Sequence, residues 1–164
     1  MNFCMETSIG FRHRLQYIRL FRAISIRYSV NGSKEHRLGK LLYSPVDVIL
    51  GIGDAREVVQ PDLVYVASER REIVKLHGIE GPPDLVVEIL SPGTRDRDRG
   101  YKLKMYARYQ VREYWIVDPE TRSAALYAFG TQENVEPKFY TATDVMTSAW
   151  FPGLAIPLAE VFAD

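Results

Sequence analysis

Two charged residues occur where the sequence pattern predicts apolar surroundings, and Glu88 is the first. It lies within the segment DLVVEIL at 84–90, which is typical of a strand buried on at least one face. An isolated carboxylate in a low-dielectric interior is costly, so Glu88 needs a cation, hydrogen bonds or an open cleft. The alternative is an exposed edge strand with one polar face.

Lys102 is the second of these residues, because it falls in the apolar stripe of a predicted helix. At about 100° per residue, Tyr106 lies near Lys102 on the helical wheel and Lys104 lies on the opposite side. A lysine in such a stripe either extends its ammonium group to water or meets an anion. If this helix packs on the strand at 84–90, Glu88 is the natural anion.

A second acid near Glu88 would complete a metal site. Asp84 shares the predicted strand face of Glu88 but lies about 13 Å away along the strand. That distance is too long for two ligands of one cation, which bind at about 2–2.6 Å. Asp62 begins the segment DLVYV, which can pair antiparallel with 84–90. The structural alternative for Asp62 and Asp84 is that acids after proline are ordinary turn residues.

Two carboxylates on neighbouring strands and a lysine suit the hydrolysis of a phosphodiester. The acids hold a hard divalent cation, Mg²⁺ or Mn²⁺, which polarises the phosphoryl group and lowers the pKa of bound water. The lysine orients or deprotonates the attacking water, or neutralises charge in the transition state. The sequence does not contain the residue patterns of competing chemistries. The three histidines are scattered singly, Cys4 is the one cysteine and no phosphate-binding loop occurs.

The elements that position these residues follow from the periodicity of the sequence. We expect a helix at 14–28, strands at 40–50, 61–66, 84–90 and 113–117, a hairpin from segments near 123–129 and 137–142, and a loop-rich tail. A second helix begins after Thr94, which can cap it, has Asp96 and Asp98 in its first turn, and ends near Tyr109. This order predicts an α/β layer protein with a mixed sheet.

Composition limits the class of protein. The 164 residues, 46% apolar and 26% charged, suit one globular domain. No apolar run approaches the roughly 20 residues of a membrane-spanning helix, and without a recognisable signal peptide we expect a cytoplasmic location. The net charge is zero, but residues 1–40 and 95–112 are strongly basic. These segments either present a cationic surface to a polyanion or form ordinary solvated helix faces.

The segment PDLVYV and the later segment GPPDLVVEILSPGTRDRDRGYKLKMYARYQVREYWIVDPE resemble the Uma-type restriction endonucleases, a branch of the PD-(D/E)XK nuclease superfamily. The likeness is strongest over residues 61–120. It implies a restriction-endonuclease-like core, with a mixed central sheet flanked by helices and an additional C-terminal hairpin. It also implies a Mg²⁺-dependent (or Mn²⁺-dependent) endonuclease that acts on DNA.

The resemblance assigns roles residue by residue. Asp62 matches the aspartate of the PD half, Glu88 matches the second acid, and the Ile89 backbone carbonyl is a further metal ligand. The superfamily lysine two residues after that acid is replaced here by Leu90, and Lys102 of the following helix takes its place. We interpret the matching residues Tyr106, Tyr114 and Trp115 as packing residues and Asp118 as a turn residue.

The resemblance also implies a departure at the N-terminus. Family members usually carry a few dozen further residues with an acidic motif before the first helix, so we expect residues 1–164 to form a single domain without that extension. An exposed sheet edge and a missing accessory acid would follow. The alternative function is therefore a catalytically impaired or truncated member that binds nucleic acid or forms a homo-oligomeric scaffold, and a homodimer is the expected form of such an oligomer.

Overall fold

The computed structural model describes residues 18–20, 22–24, 39–130, 135–151 and 153–163. Its strands are β1 (Gly39–Tyr43), β2 (Val48–Leu50), β3 (Glu57–Val59), β4 (Leu63–Ala67), β5 (Val74–Lys75), β6 (Gly78–Glu80), β7 (Leu85–Ile89), β8 (Glu113–Asp118), β9 (Ser123–Ala128), β10 (Lys138–Thr141), β11 (Val145–Thr147) and β12 (Ala155–Pro157). The helices are α1 (Arg95–Arg97), α2 (Leu103–Arg108) and α3 (Leu158–Val161), and a π-helical turn at Asp98–Lys102 joins α1 to α2.

A six-stranded mixed sheet in the order β1-β4-β7-β8-β9-β10 forms the centre of the fold. β7 and β8 run parallel, and the other neighbouring strands run antiparallel. β4 pairs with β7 so that Leu63 lies opposite Val87, which confirms the predicted antiparallel pairing. Every residue of β7 and β8 is buried, as expected for parallel strands covered on both faces.

The alternation of side chains along β7 divides the core into two halves. Leu85, Val87 and Ile89 pack with Leu20 and Ile24 and with apolar residues after residue 145. Val86 and Leu90, on the other face, pack with α2 and with a small sheet of order β3-β2-β6-β5. Because Glu88 follows Val86 by two residues, it lies on the face that α2 covers.

The helix predicted from Thr94 to about Tyr109 is confirmed as the unbroken run of α1, the π-helical turn and α2, called the central helix below. Met105 and Tyr106 are buried on its inner side. The predicted cap at Thr94 is wrong. Thr94 already has helical backbone angles and makes no side-chain cap; its hydroxyl instead accepts a hydrogen bond from Ser91 N, 3.3 Å away.

Short elements account for the other differences from the sequence prediction. The single strand expected at 40–50 is two strands, β1 and β2, because Pro45 lies between them and has no N–H for a ladder. The tail expected to be loop-rich contains β11, β12 and α3. The predicted helix at 14–28 is helical at 18–20 and 22–24, and its other residues lie outside the described residues. No helix in the described part of the chain is long and apolar enough to cross a membrane.

Candidate active site

Asp62 lies at the carboxyl end of β7, next to Glu88. It directly precedes β4, and its Oδ2 accepts a hydrogen bond from Ile89 N at 2.6 Å. On the other side of β7, Leu90 N donates to Val117 O of β8. Since the N–H and C=O groups of one extended residue point to the same side, the Ile89 carbonyl faces the Asp62 side of the strand.

Glu88 lies in the interior of the main sheet and not at an edge, because β7 lies between β4 and β8. Only 3% of its surface is exposed. Its Oε1 lies 2.8 Å from Lys102 Nζ and accepts a hydrogen bond from Tyr106 OH at 3.1 Å. Both contacts fall on Oε1, so Oε2 is the oxygen that another ligand would use. The edge-strand alternative for Glu88 is therefore wrong.

Lys102 does not extend its ammonium group to water, since the residue is 7% exposed. Nζ forms two ion pairs, one with Glu88 Oε1 and one with Asp98 Oδ1, each at 2.8 Å. Burial lowers the pKa of Lys102, but the two carboxylates outweigh that effect and the net pKa lies above its ordinary value. Lys102 is therefore a positive charge at neutral pH, held against the sheet as the helical wheel predicted.

Asp98 and Tyr106 belong to this site, although sequence reasoning gave them other roles. Asp98 was interpreted as a residue of the acidic first helical turn, but it is 1% exposed and pairs with Lys102. Tyr106 packs in the core as expected, and its hydroxyl also contacts Glu88. The spacing of four residues between Asp98 and Lys102 was the available signal, because residues four apart share a helix face.

The electrostatics of the site favour an added cation. Burial raises the pKa of Glu88 to about 7; Lys102 opposes this shift, whereas the charges of Asp98 and Asp62 add to it. Glu88 and Asp98 are both buried and share one ammonium group. A buried carboxylate is stable in its charged form only with sufficient positive charge nearby. A divalent cation beside Glu88 and Asp62 would supply that charge.

The donor set at this point consists of oxygen atoms. No three His, Cys, Asp or Glu side chains of the described residues group together as a metal cluster. The Asp62 carboxylate contacts the backbone of Ile89, the residue after Glu88, so Asp62, Glu88 and the Ile89 carbonyl are the oxygen donors that would hold a cation here. Such a set suits Mg²⁺ or Mn²⁺, which bind a few protein oxygens and retain several waters. The residues therefore fit the cation that the sequence analysis expected.

Other residues from the sequence analysis lie away from this site or support it from outside. Asp84, at the amino end of β7, pairs with Arg70 and Arg112. Asp118 accepts hydrogen bonds from Glu120 N and Thr121 N, as a turn residue does, and it also pairs with two arginines of the central helix, Arg95 and Arg99. Tyr114 and Trp115 are fully buried packing residues. Cys4 lies outside the described residues.

Comparisons with known proteins decide the family. The Uma2 family model, described as a putative restriction endonuclease, matches residues 5–159. This chain belongs to that family. A solved structure of a putative nuclease belonging to DUF820 from Anabaena variabilis is similar in fold, with a TM-score of 0.72 and 15% sequence identity over 93% of this chain and 80% of that one. Among curated proteins, none matches.

The Uma2 match and the similar fold confirm two expectations from the sequence. The resemblance to Uma-type restriction endonucleases is correct, and the mixed α/β fold with a large mixed sheet is the fold of a nuclease relative. Membership in the Uma2 family supports a nuclease function. The cytoplasmic location, the homodimer and the single domain without an N-terminal extension stay predictions.

Proposed function

We propose that this Uma2 protein is a metal-dependent endonuclease that hydrolyses phosphodiester bonds in DNA. The observation that carries the proposal is the burial of Lys102 against Glu88, with the Asp62 carboxylate hydrogen-bonded to the next residue of the same strand. Lys102 and Glu88 are costly to bury, and together with the partly exposed Asp62 they have the composition that phosphodiester hydrolysis needs.

In this proposal Asp62, Glu88 and the Ile89 carbonyl would hold Mg²⁺ or Mn²⁺. Such a cation would polarise a phosphate oxygen and lower the pKa of a bound water. Lys102 is charged, so it orients the attacking water and neutralises negative charge that develops on the phosphoryl group. The water oxygen forms the new bond to phosphorus and its proton passes to solvent, while the bond from phosphorus to the sugar oxygen breaks and that oxygen takes a proton from solvent water. Tyr106 holds the Glu88 carboxylate in place through its hydroxyl.

Exposed cations near the site support a nucleic-acid substrate. Arg97 and Lys104 of the central helix are exposed, and Arg99 is half exposed beside Asp118. Cationic side chains on one helix attract phosphates without sequence preference. Within the basic segment at 95–112, Lys102 therefore faces the sheet, whereas Arg97 and Lys104 face solvent.

A plasmid-nicking assay with Mg²⁺ or Mn²⁺ tests the proposal. We expect nicking by the unaltered protein and a loss of about 100-fold or more in Glu88→Ala and Lys102→Ala. Lys75→Ala is the matched control, because it removes an exposed lysine of β5, outside the basic segment at 95–112. Nicking that survives both substitutions at the site would contradict the assignment of Glu88 and Lys102.

The second candidate function is a nucleic-acid-binding module without catalysis, which the same exposed cations favour. It predicts salt-dependent DNA binding that persists in Glu88→Ala, together with no nicking by the unaltered protein at any metal concentration. Nicking that depends on Glu88 would contradict this candidate. DNA affinity that does not change with salt would contradict the role of the exposed cations in both candidates.

A further inference from the structure

Glu88 has two tasks in the proposed endonuclease, and they compete. It contacts the Lys102 ammonium group in the structure described here, and it would ligate a divalent cation during catalysis. Two positive groups on one carboxylate repel each other, so a cation at Glu88 weakens the hold on Lys102. A lysine that acts on the attacking water must nevertheless stay beside the cation. A second anion is needed to keep it there.

Asp98 is the other carboxylate that contacts Lys102 Nζ among the described residues. Its backbone is fixed on both sides, since its N–H donates to Thr94 O at 2.9 Å and its carbonyl accepts from Tyr114 OH at 3.0 Å. Asp98 and Lys102 are the first and last residues of the π-helical turn. Single π-helical turns within α-helices frequently occur at functional sites.

The surroundings of Asp98 argue against a purely structural role. The side chain is 1% exposed, and its Oδ1 lies 2.8 Å from the Lys102 ammonium group. The Lys102 charge is therefore the compensation that this buried oxygen receives within the described structure. A buried ion pair of this kind adds little stability over an apolar pair of similar size, so its presence calls for a functional explanation.

We propose that Asp98 is a positioning residue that keeps the Lys102 ammonium group at the active site when Glu88 binds a divalent cation. The inference rests on the proposed function. Asp98 thereby reduces the competition between ammonium and cation for Glu88, and it fixes the distance of Lys102 from the reacting phosphate. Neutralising Asp98 leaves the ammonium group entirely to Glu88, so the cation has to displace it.

The test measures Mn²⁺ binding to the full chain by calorimetry, with no nucleic acid present. By analogy with other groups that support metal ligands from outside, we expect Asp98→Asn to weaken Mn²⁺ affinity about tenfold. In a Lys102→Gln background the same substitution weakens it by less than about threefold, because the competing ammonium group is gone. Asp96→Asn, an exposed acid of the same helix, is the control for loss of charge alone.

The outcomes separate the role of Asp98 from the proposed metal site. An equal loss of Mn²⁺ affinity in both backgrounds would show that Asp98 attracts the cation directly. That result would overturn the proposal that Asp98 acts through Lys102. Unchanged affinity in Asp98→Asn would overturn it as well. If the unaltered protein binds Mn²⁺ no better than Glu88→Ala does, the metal site itself fails, and the role of Asp98 fails with it.

Cleavage kinetics give a second readout. Asp98→Asn lowers kcat about tenfold and leaves the KM for DNA unchanged, and it has no further effect on kcat when Lys102 is already Gln. A change confined to KM would contradict a role beside the reacting phosphate. If Asp98→Asn does not fold, Asp98→Glu is measured instead, alone and together with Lys102→Gln. That variant keeps the charge and moves the carboxylate by one methylene group. A metal affinity in Asp98→Glu that is unchanged in both backgrounds would then overturn the inference.

Discussion

Buried acids lie near both ends of β7 and β8, but the two acids of the site, Glu88 and Asp98, are compensated differently from Asp84 and Glu113 at the amino end. At the amino end, Asp84 Oδ1 contacts Arg70 at 3.0 Å and Arg112 at 3.2 Å, and Oδ2 accepts from Ala67 N at 2.7 Å. Glu113, also at that end, accepts from Trp115 Nε1 at 2.8 Å and from Ser148 Oγ at 2.7 Å. At the carboxyl end, Glu88 and Asp98 share Lys102.

The difference shows which buried charge indicates function. At the amino end both oxygens of each carboxyl group have donors, which is the arrangement of a structural network. In the site at the carboxyl end one ammonium group serves two buried carboxylates, Glu88 and Asp98. Burial alone does not distinguish the ends. The amount of positive charge per buried carboxylate does, because two arginines contact Asp84 whereas a single lysine contacts both Glu88 and Asp98.

The largest expected effect comes from the same substitution at both ends. Glu88→Gln lowers metal-dependent DNA cleavage by about 100-fold or more, because a cation ligand is lost. Glu113→Gln leaves cleavage within about twofold, because Glu113 lies at the amino end of β8 and contacts neither Glu88 nor Lys102. Steady-state nicking rates of both variants check this prediction. Similar losses in the two variants would remove the functional distinction between the ends.

The second expected effect is on stability, and here the larger loss occurs at the amino end. Asp84→Asn leaves Arg70 and Arg112 without their carboxylate and lowers the free energy of unfolding by about 2 kcal/mol, a moderate value because both arginines reach water. Glu88→Gln changes it by less than about 1 kcal/mol, since Lys102 keeps Asp98 as its partner. Urea denaturation without metal measures both values. A larger loss in Glu88→Gln than in Asp84→Asn would contradict a structural network at the amino end.

Two buried tyrosines, Tyr106 and Tyr114, test how far the site extends. Tyr106→Phe and Tyr114→Phe each remove one hydroxyl group and cost about 1 kcal/mol of stability. Only Tyr106 contacts Glu88, whereas Tyr114 contacts the Asp98 backbone. We therefore expect cleavage to fall severalfold in Tyr106→Phe and to change little in Tyr114→Phe. Equal cleavage rates in the two variants would show that the hydroxyl of Tyr106 only packs.

The smallest effect is the pH dependence of stability at the amino end. Burial raises the pKa of Glu113 above the ordinary value of 4.5, against hydrogen bonds from Ser148 and Trp115. The folded state therefore binds this proton more tightly than the unfolded state does. The contribution of Glu113 to stability is complete below about pH 4.5 and is lost as the pH rises through the folded pKa.

Glu113→Gln lacks this loss, so its stability relative to the unaltered protein rises as the pH increases from about 4.5 through the folded pKa of Glu113. Urea denaturation at several pH values measures the difference. A constant difference across that range would show that Glu113 has the same pKa in the folded and unfolded states.

Sequence reasoning predicted the elements with a clear period and the contact between them. The run at 84–90 predicted β7, and the helical wheel placed Lys102 toward it, because five or more residues are enough to define a buried face. The small sheet was missed, because β2 was merged with β1 into one expected strand and β3, β5 and β6, with two or three residues each, show no period. Asp98 was missed because an acid in a first helical turn is already favourable for the helix dipole.

Anomalous diffraction from crystals of the unaltered protein grown with Mn²⁺ tests the central claim most directly. The account predicts one strong peak bordered by the carboxylates of Asp62 and Glu88 and by the Ile89 carbonyl, with Lys102 retained against Asp98. A peak bound only by other residues, or no peak at saturating Mn²⁺ with Lys102 still paired to Glu88, would contradict it.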